Sequence, residues 1–395
     1  MSRPPQTSRE LSRGQVTSFR LRHHHLIEPA PRRALLDVLS DMGGAQAQVL
    51  SAAFLSAAVR TEGIRAEDLE AALGPERTVA RAWAMRRTLF LLPVRDLAIF
   101  ARGSARRAEK EVRFVRNRGV PEARVEEIVT ACLDALNEPS TTGELATKVG
   151  RALGVPVRGS PAYGWGHRHE VPGVRIGDLT YPAGYLLHLA GARGVVAYGP
   201  ARDGETTYVR ADAWFPRWRD LPQEKAEEEL LRRYLRSYGP ATARDFVAWT
   251  RMTLADANRV WSRIERELVP VTVDGTTAWL HRESVPEIDR EPSGERCVRL
   301  LPYFDSYLLG HDRRDHLVDP SRLRRIYRPQ GWVSPVLLVD GRIQGTWTHR
   351  IAGRRFLVRV HAFAPLDDRT RAQVREEATR LGDFVGCTAT SLTVA

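Results

Sequence analysis

The clearest hydrophobic periodicity in the chain lies between residues 227 and 282. Leu230, Leu231, Tyr234 and Leu235 recur at helical spacing until Gly239-Pro240 stops the pattern. Thr242 stands where it can cap a short helix over 243–250. Thr253 can start another, on which Leu254, Ala257, Val260, Trp261 and Ile264 share one face. Two strand-length runs follow, 268–273 and 276–280, joined by Asp274-Gly275, a dipeptide that suits a two-residue hairpin turn. Three helices and a two-stranded wing spell a winged helix, a variant of the helix-turn-helix plan.

A looser copy of this pattern spans 125–212. It has helices over 125–136, 142–153 and 181–190, then strands over 194–198 and 206–210 around Asp203-Gly204. The Gly/Pro/His-rich stretch 157–177 reads as an inserted loop. Toward the N-terminus, helices are expected near 12–24, 32–39, 48–61 and 65–73, then a strand-like run over 79–92 and a helix over 94–108. From about Arg296 the pattern changes to strands at 298–301, 333–339, 342–349 and 354–363, with a second tight turn at Asp340-Gly341 and a closing helix over 367–381. The expected fold class is α+β, with three tandem winged-helix units followed by a small β-rich C-terminal domain. The boundaries are a flexible leader at 1–11, units at 12–120, 121–220 and 221–290, and the last domain at 291–395.

Composition narrows the class. None of the 395 residues falls in an apolar run of membrane-spanning length, and the Arg/Ser/Pro-rich leader lacks the apolar centre of a signal peptide. Cys132, Cys297 and Cys387 are far apart and odd in number, which fits buried thiols in a reducing cytoplasm. The net charge of +12 and the pI of about 10.1 point to a polyanionic partner. Arginine carries that charge, since lysine occurs only at 110, 148 and 225. A GC-rich genome accounts for arginine replacing lysine but not for the excess of positive over negative charge. The arginine pairs 86-87, 106-107, 313-314 and 324-325 are candidate phosphate contacts.

Most enzyme signatures are missing. His23, His24 and His25 are consecutive and cannot converge on one ion from a regular element, and His167-Arg168-His169-Glu170 lacks the spacing that puts two imidazoles on one helical face. No phosphate-binding loop, dinucleotide fingerprint or Gly-x-Ser-x-Gly elbow occurs. Asp305 is the one carboxylate inside an apolar run, 301–310, and reads as a buried partner for Arg313 or Arg314. The most informative stretch is Gly43-Gly44-Ala45-Gln46-Ala47-Gln48. On a helix the two amides would stand about 200° apart, but in an extended segment they point the same way. Two glycines just upstream make such a segment plausible. Aligned carboxamides can hold one water by donating and accepting at once.

Four stretches resemble the AlkZ-type winged-helix DNA glycosylases: 15–22 with the histidines that follow; 43–49; 80–92, where Thr88-Leu89 follows Arg86-Arg87; and 300–314 together with 339–341 and 345–347. The resemblance extends over nearly the whole chain. It implies that Gln46 and Gln48 are the catalytic pair of a monofunctional enzyme that hydrolyses the N-glycosidic bond of N7-alkylated guanine in duplex DNA. It implies further that the enzyme works without metal or cofactor, as a monomer at the nucleoid of the cytoplasm, in DNA repair or in self-resistance to a genotoxic antibiotic. Bulky natural-product adducts and interstrand crosslinks are the implied lesions. Arg20, Arg22 and His24, Arg86 and Arg87, Arg313 and Arg314, and Arg342 and Arg350 are the expected DNA-binding residues. The last two are the expected phosphate or groove contacts of the hairpin 336–347, expected to probe DNA. Phe90 departs from the family pattern, in which a histidine follows Thr-Leu.

Two other readings compete. A winged-helix transcription regulator explains fold and charge but gives Gln46 and Gln48 no role, and regulators usually dimerise on paired half-sites. An architectural clamp would wrap DNA without chemistry.

Overall fold

A computed structural model describes residues 9–105, 109–164, 167–191, 193–290, 294 and 296–395, with the side chains of 109–111 and 162–169 left aside. The Arg106-Arg107 pair, the histidine side chains at 167 and 169, and residues 1–8 of the leader lie outside the described residues. The chain forms two compact units. One comprises Met1–Val79, Thr88–Pro93 and Glu228–Ala395; the other comprises Ala80–Arg87 and Val94–Glu227.

In the first unit the periodic helices form where their patterns and caps place them. Arg13–His23 starts at a capping box in which Ser12 accepts from Gln15 N, and it buries Val16, Phe19 and Leu21. Ala243–Thr250 and Leu254–Arg263 start at the hydroxyls of Thr242 and Thr253. Their wing is the hairpin Leu268–Val273 with Thr276–His281. A third strand was not expected there. Arg9–Leu11 pairs in parallel with the wing, Arg9 opposite Val271 and Leu11 opposite Val273, so the end of the supposed leader is ordered. Leu11 is 3% exposed, and burying that side chain against Val271 and Leu280 is what holds the strand down.

The C-terminal part is a five-stranded sheet in the order Val298–Leu301, Val336–Val339, Arg342–Ala352, Arg355–Ala362, Ala389–Val394. The helix Asp368–Phe384 packs against it and turns Val374, Ala378 and Leu381 inward. Arg380 on that helix donates to Ala58 O and, at 3.0 Å, to Val59 O. It thereby adds a side-chain cap to carbonyls in the last turn of the helix Leu50–Arg60.

The second unit packs Glu122–Ala135, Thr142–Leu153 and Ala183–Ala190 around Val125, Ile128, Cys132, Leu145 and Leu186. The stretch expected as an inserted loop is instead a long hairpin. Val157–Gly164 pairs with His167–Ile176, and Leu179–Pro182 adds a third strand. Its proline content misled the sequence reading. Pro161 lies on the outer strand, and Pro172 precedes the point where the third strand begins to pair at Gly173, so neither removes a ladder bond from a strand flanked on both sides. Val174, Ile176 and Tyr181 join the helical core, and this burial fixes the hairpin. No helix among the described residues is long and apolar enough to cross a membrane.

Candidate active site

The helix Leu35–Asp41 ends in two left-handed residues, Gly43 at φ +72° and Gly44 at φ +82°. A Cβ at Gly44 would sit 2.6 Å from Leu92 Cδ2, and one at Gly43 3.0 Å from the Trp249 ring, so both space and backbone demand glycine. The turn feeds Ala45–Gln46 into an antiparallel pairing with Leu89–Pro93, Ala45 opposite Leu91 and Gln46 opposite Phe90. Ala47 N extends the ladder, donating to Leu89 O at 2.6 Å. The segment is extended, as the glycines suggested. Ala45 and Ala47 are completely buried on either side of Gln46, and Gln48 follows in the bend that leads to the next helix.

The two amides are not equivalent. Gln46 is 6% exposed, whereas Gln48 is at the surface. Phe90, which replaces the expected histidine, is 1% exposed and supplies an apolar neighbour at the register position of Gln46. Gln48 is not the cap of the next helix: Leu50–Arg60 has Val49 at its N-cap and no side-chain cap bond.

Behind the dyad lies a polar network. Asp305 is fully buried, and its partner is neither Arg313 nor Arg314 but Arg60, also 0% exposed. Arg60 Nη2 donates to Asp305 Oδ1 at 2.7 Å and Nη1 to Oδ2 at 2.8 Å. Ser56 Oγ donates to the same Oδ2 at 2.7 Å, and Tyr307 N to Oδ1 at 3.0 Å. This correction has a geometric cause. Arg313 is solvated and pairs with Asp315, while Arg314 lies 3.7 Å from the Tyr327 ring centroid in a cation–π contact.

The expected DNA-binding residues divide. Arg20 donates to Tyr238 O at 3.1 Å and Pro240 O at 2.8 Å, and burial lowers its pKa. Arg22 reaches Ser18 Oγ and Glu287 O. His24 is fully buried beside the Tyr238 and Tyr307 rings; burial, then the positive field of Arg60, hold its pKa well below the ordinary value. All three make contacts inside the fold, Arg20 and His24 with the residues around Tyr238 and Arg22 with Ser18 and Glu287. Arg20, Arg313 and Arg342 do converge on a cleft of about 920 Å³ in the first unit, joined by Arg244 and Arg369. Asp245, Asp274 and Asp340 also line it, and neither glutamine does. Arg86 and Arg87 are half-buried in the second unit. The hairpin expected to probe DNA turns at Asp340-Gly341. Its turn packs on the first helix, a Cβ at Gly341 falling 2.2 Å from Thr17 Cγ2. The far end of the next hairpin is the exposed one: Arg350, Ile351, Gly353 and Arg354 all face solvent, Ile351 being 54% exposed.

Tyr238, Trp249 and Ser306, which surround the glycine turn, had not been singled out. Asp305 in its apolar run was the one signal that pointed toward them. Over residues 39–384 the chain matches the family described as DNA glycosylase AlkZ-like. It is 29% identical over 346 residues to the interstrand DNA cross-link repair glycosylase of Streptomyces sahachiroi, covering 84% of this chain and 86% of that one. Its fold is similar to that of the solved Streptomyces sahachiroi DNA glycosylase AlkZ, with a TM-score of 0.78 at 24% identity over 98% of this chain and 100% of the other.

Proposed function

We propose, from the premise that this chain belongs to the AlkZ-like DNA glycosylase family, that it is a monofunctional glycosylase releasing N7-alkylated guanine from duplex DNA, crosslinked guanine included. We assign it to DNA repair or self-resistance against an alkylating natural product, acting as a monomer at the nucleoid on three winged-helix units. The observation that supports this reading is the extended segment at 45–46 after the glycine turn, which brings two neutral amides to one place in the chain, Gln46 buried and Gln48 at the surface.

Alkylation at N7 makes the guanine cationic, so it departs as a neutral base without a general acid. Water adds to C1′ as the C1′–N9 bond breaks, the bonding electrons stay on N9, and the water's surplus proton passes to solvent. The protein's part is to position that water and to tolerate an oxocarbenium-like transition state. The amides of Gln46 and Gln48 can hold that water together, an amide oxygen accepting from it and an amide N–H donating to it. A neutral amide also avoids desolvating a carboxylate against DNA. The compact unit that carries the dyad contains no lysine, the side chain a bifunctional glycosylase uses as its amine nucleophile. Phosphate contacts are assigned to Arg244, Arg313, Arg342 and Arg369 at the cleft and to Arg350 and Arg354 on the exposed hairpin end.

The test is incubation with duplexes carrying N7-methylguanine or a nitrogen-mustard guanine–guanine crosslink, reading abasic sites as alkali-labile breaks. The expected result is free alkylguanine and an intact abasic strand before alkali treatment. Strand breaks without alkali would point to lyase chemistry and refute the monofunctional assignment.

A further inference from the structure

Residues 305 and 306 hold both ends of the Gln-x-Gln segment, although they lie far from it in sequence. On the entry side, Ser306 Oγ donates to Gly44 O at 2.6 Å, within a turn whose two glycines have no side chains to fix it. Tyr238 Oη lies 3.2 Å from Met42 O and 3.0 Å from Ser306 O, so its proton ties the glycine turn and the 306 carbonyl together. Ser237 Oγ donates to Asp41 O, and the Trp249 ring fills the space over Gly43. On the exit side, Asp305 binds Ser56 and Arg60, both on the helix that starts two residues after Gln48. Ser306 is 2% exposed, so its hydroxyl has no exchange with bulk water to dilute the bond.

We infer that Ser306 and Asp305, with Tyr238, are positioning residues for the two glutamines. The pair at 305–306 fixes the strand's entry through the Gly44 carbonyl and its exit through the following helix, and so sets where Gln46 and Gln48 hold water. Among the described strands the two-residue strand stands at the edge of its sheet, paired with Phe90 and Leu91. Glycine at two successive positions would otherwise let it pivot. The inference rests on the assignment of Gln46 and Gln48 as the catalytic pair.

The experiment measures single-turnover excision by the full chain on an N7-methylguanine duplex, with enzyme saturating, for wild type, S306A, Y238F, Q46A and the double variant Q46A/S306A. Rate constant and amplitude are read separately. A variant that merely unfolds loses amplitude, whereas a misplaced amide lowers the rate constant at full amplitude. S306A and Y238F are each expected to slow excision by about 10- to 100-fold, the order for a shift of about 1 Å in a reacting group. Duplex affinity should stay within about twofold, since neither hydroxyl belongs to the phosphate-driven part of binding. If Ser306 acts through the two glutamines, S306A slows the Q46A protein by less than it slows wild type, since only Gln48 is left to misplace. Multiplicative losses would overturn the inference, as would wild-type rate constants in both single variants. Q46A excising at the wild-type rate would instead remove the catalytic assignment itself. Should S306A fail to fold, Y238F carries the same comparison, because it removes one hydroxyl from the same turn and keeps the ring.

Discussion

Removing Arg60 tests the buried network most directly. R60M keeps much of the side-chain volume but leaves Asp305, at 0% exposure, with only Ser56 Oγ and Tyr307 N as donors. A carboxylate that has lost a bidentate partner inside a protein typically costs about 3–5 kcal/mol, set largely by the charge left unpaired and much less by the net worth of the pair. For a unit of this size that corresponds to a fall in Tm of roughly 10 °C, at about 2–4 °C per kcal/mol. Arg60 Nε is itself buried without a hydrogen-bond partner among the described residues, so the pair is imperfectly satisfied even in the native protein. Replacing both partners with apolar residues, R60M/D305L, should therefore regain most of the loss, because no orphaned charge remains. Urea unfolding monitored by tryptophan fluorescence, with Tm by calorimetry, measures all three proteins. A loss below about 1 kcal/mol in R60M would refute the reasoning, as would a double variant less stable than R60M.

The other expectations rest on exposure, charge and burial. Q48A should lower single-turnover excision by about 10²-fold, the order for losing a group that positions a reacting water. Its Tm should stay unchanged, since the residue is exposed and caps no helix; a fall in stability with intact chemistry would reverse the assignment. Affinity for undamaged duplex should fall steeply with salt, and R350A/R354A should flatten that slope by about one unit per lost phosphate contact without changing Tm; an unchanged slope would take the hairpin end off the DNA. Stability should also fall on mild acidification. His24 and His311 are held neutral well below their ordinary value and His316 down to about 3, burial being the first cause in each case, with Arg20 adding to all three. The unfolded chain takes up these protons below about pH 6.5 and the native one does not, so stability is full above that value. It drops by up to about 1.4 kcal/mol per pH unit for each histidine as pH falls toward the folded pKa. Urea midpoints that coincide at pH 7 and pH 5 would contradict this.

What could be read from the sequence was local. The caps at Thr242 and Thr253 and the hairpin at Asp274-Gly275 lie where the pattern put them, because capping and turn chemistry act within a few residues. The same holds for the extended course of Gln46, since two glycines in left-handed conformations end one element and align the next. Tertiary structure decided the rest. Asp305 and Arg60 are 245 residues apart, and no local pattern distinguishes Arg60 from Arg313 or Arg314 as the partner. His24 looks like a phosphate contact on a basic helix until the Tyr238 and Tyr307 rings pack over it. The hairpin 157–176 is hidden by its prolines, which become harmless only once the pairing is known. Above all, the Gln-x-Gln pattern does not tell that Gln46 lies buried and Gln48 open. Depth is a property of what packs on a segment, and that comes from residues hundreds of positions away in the chain.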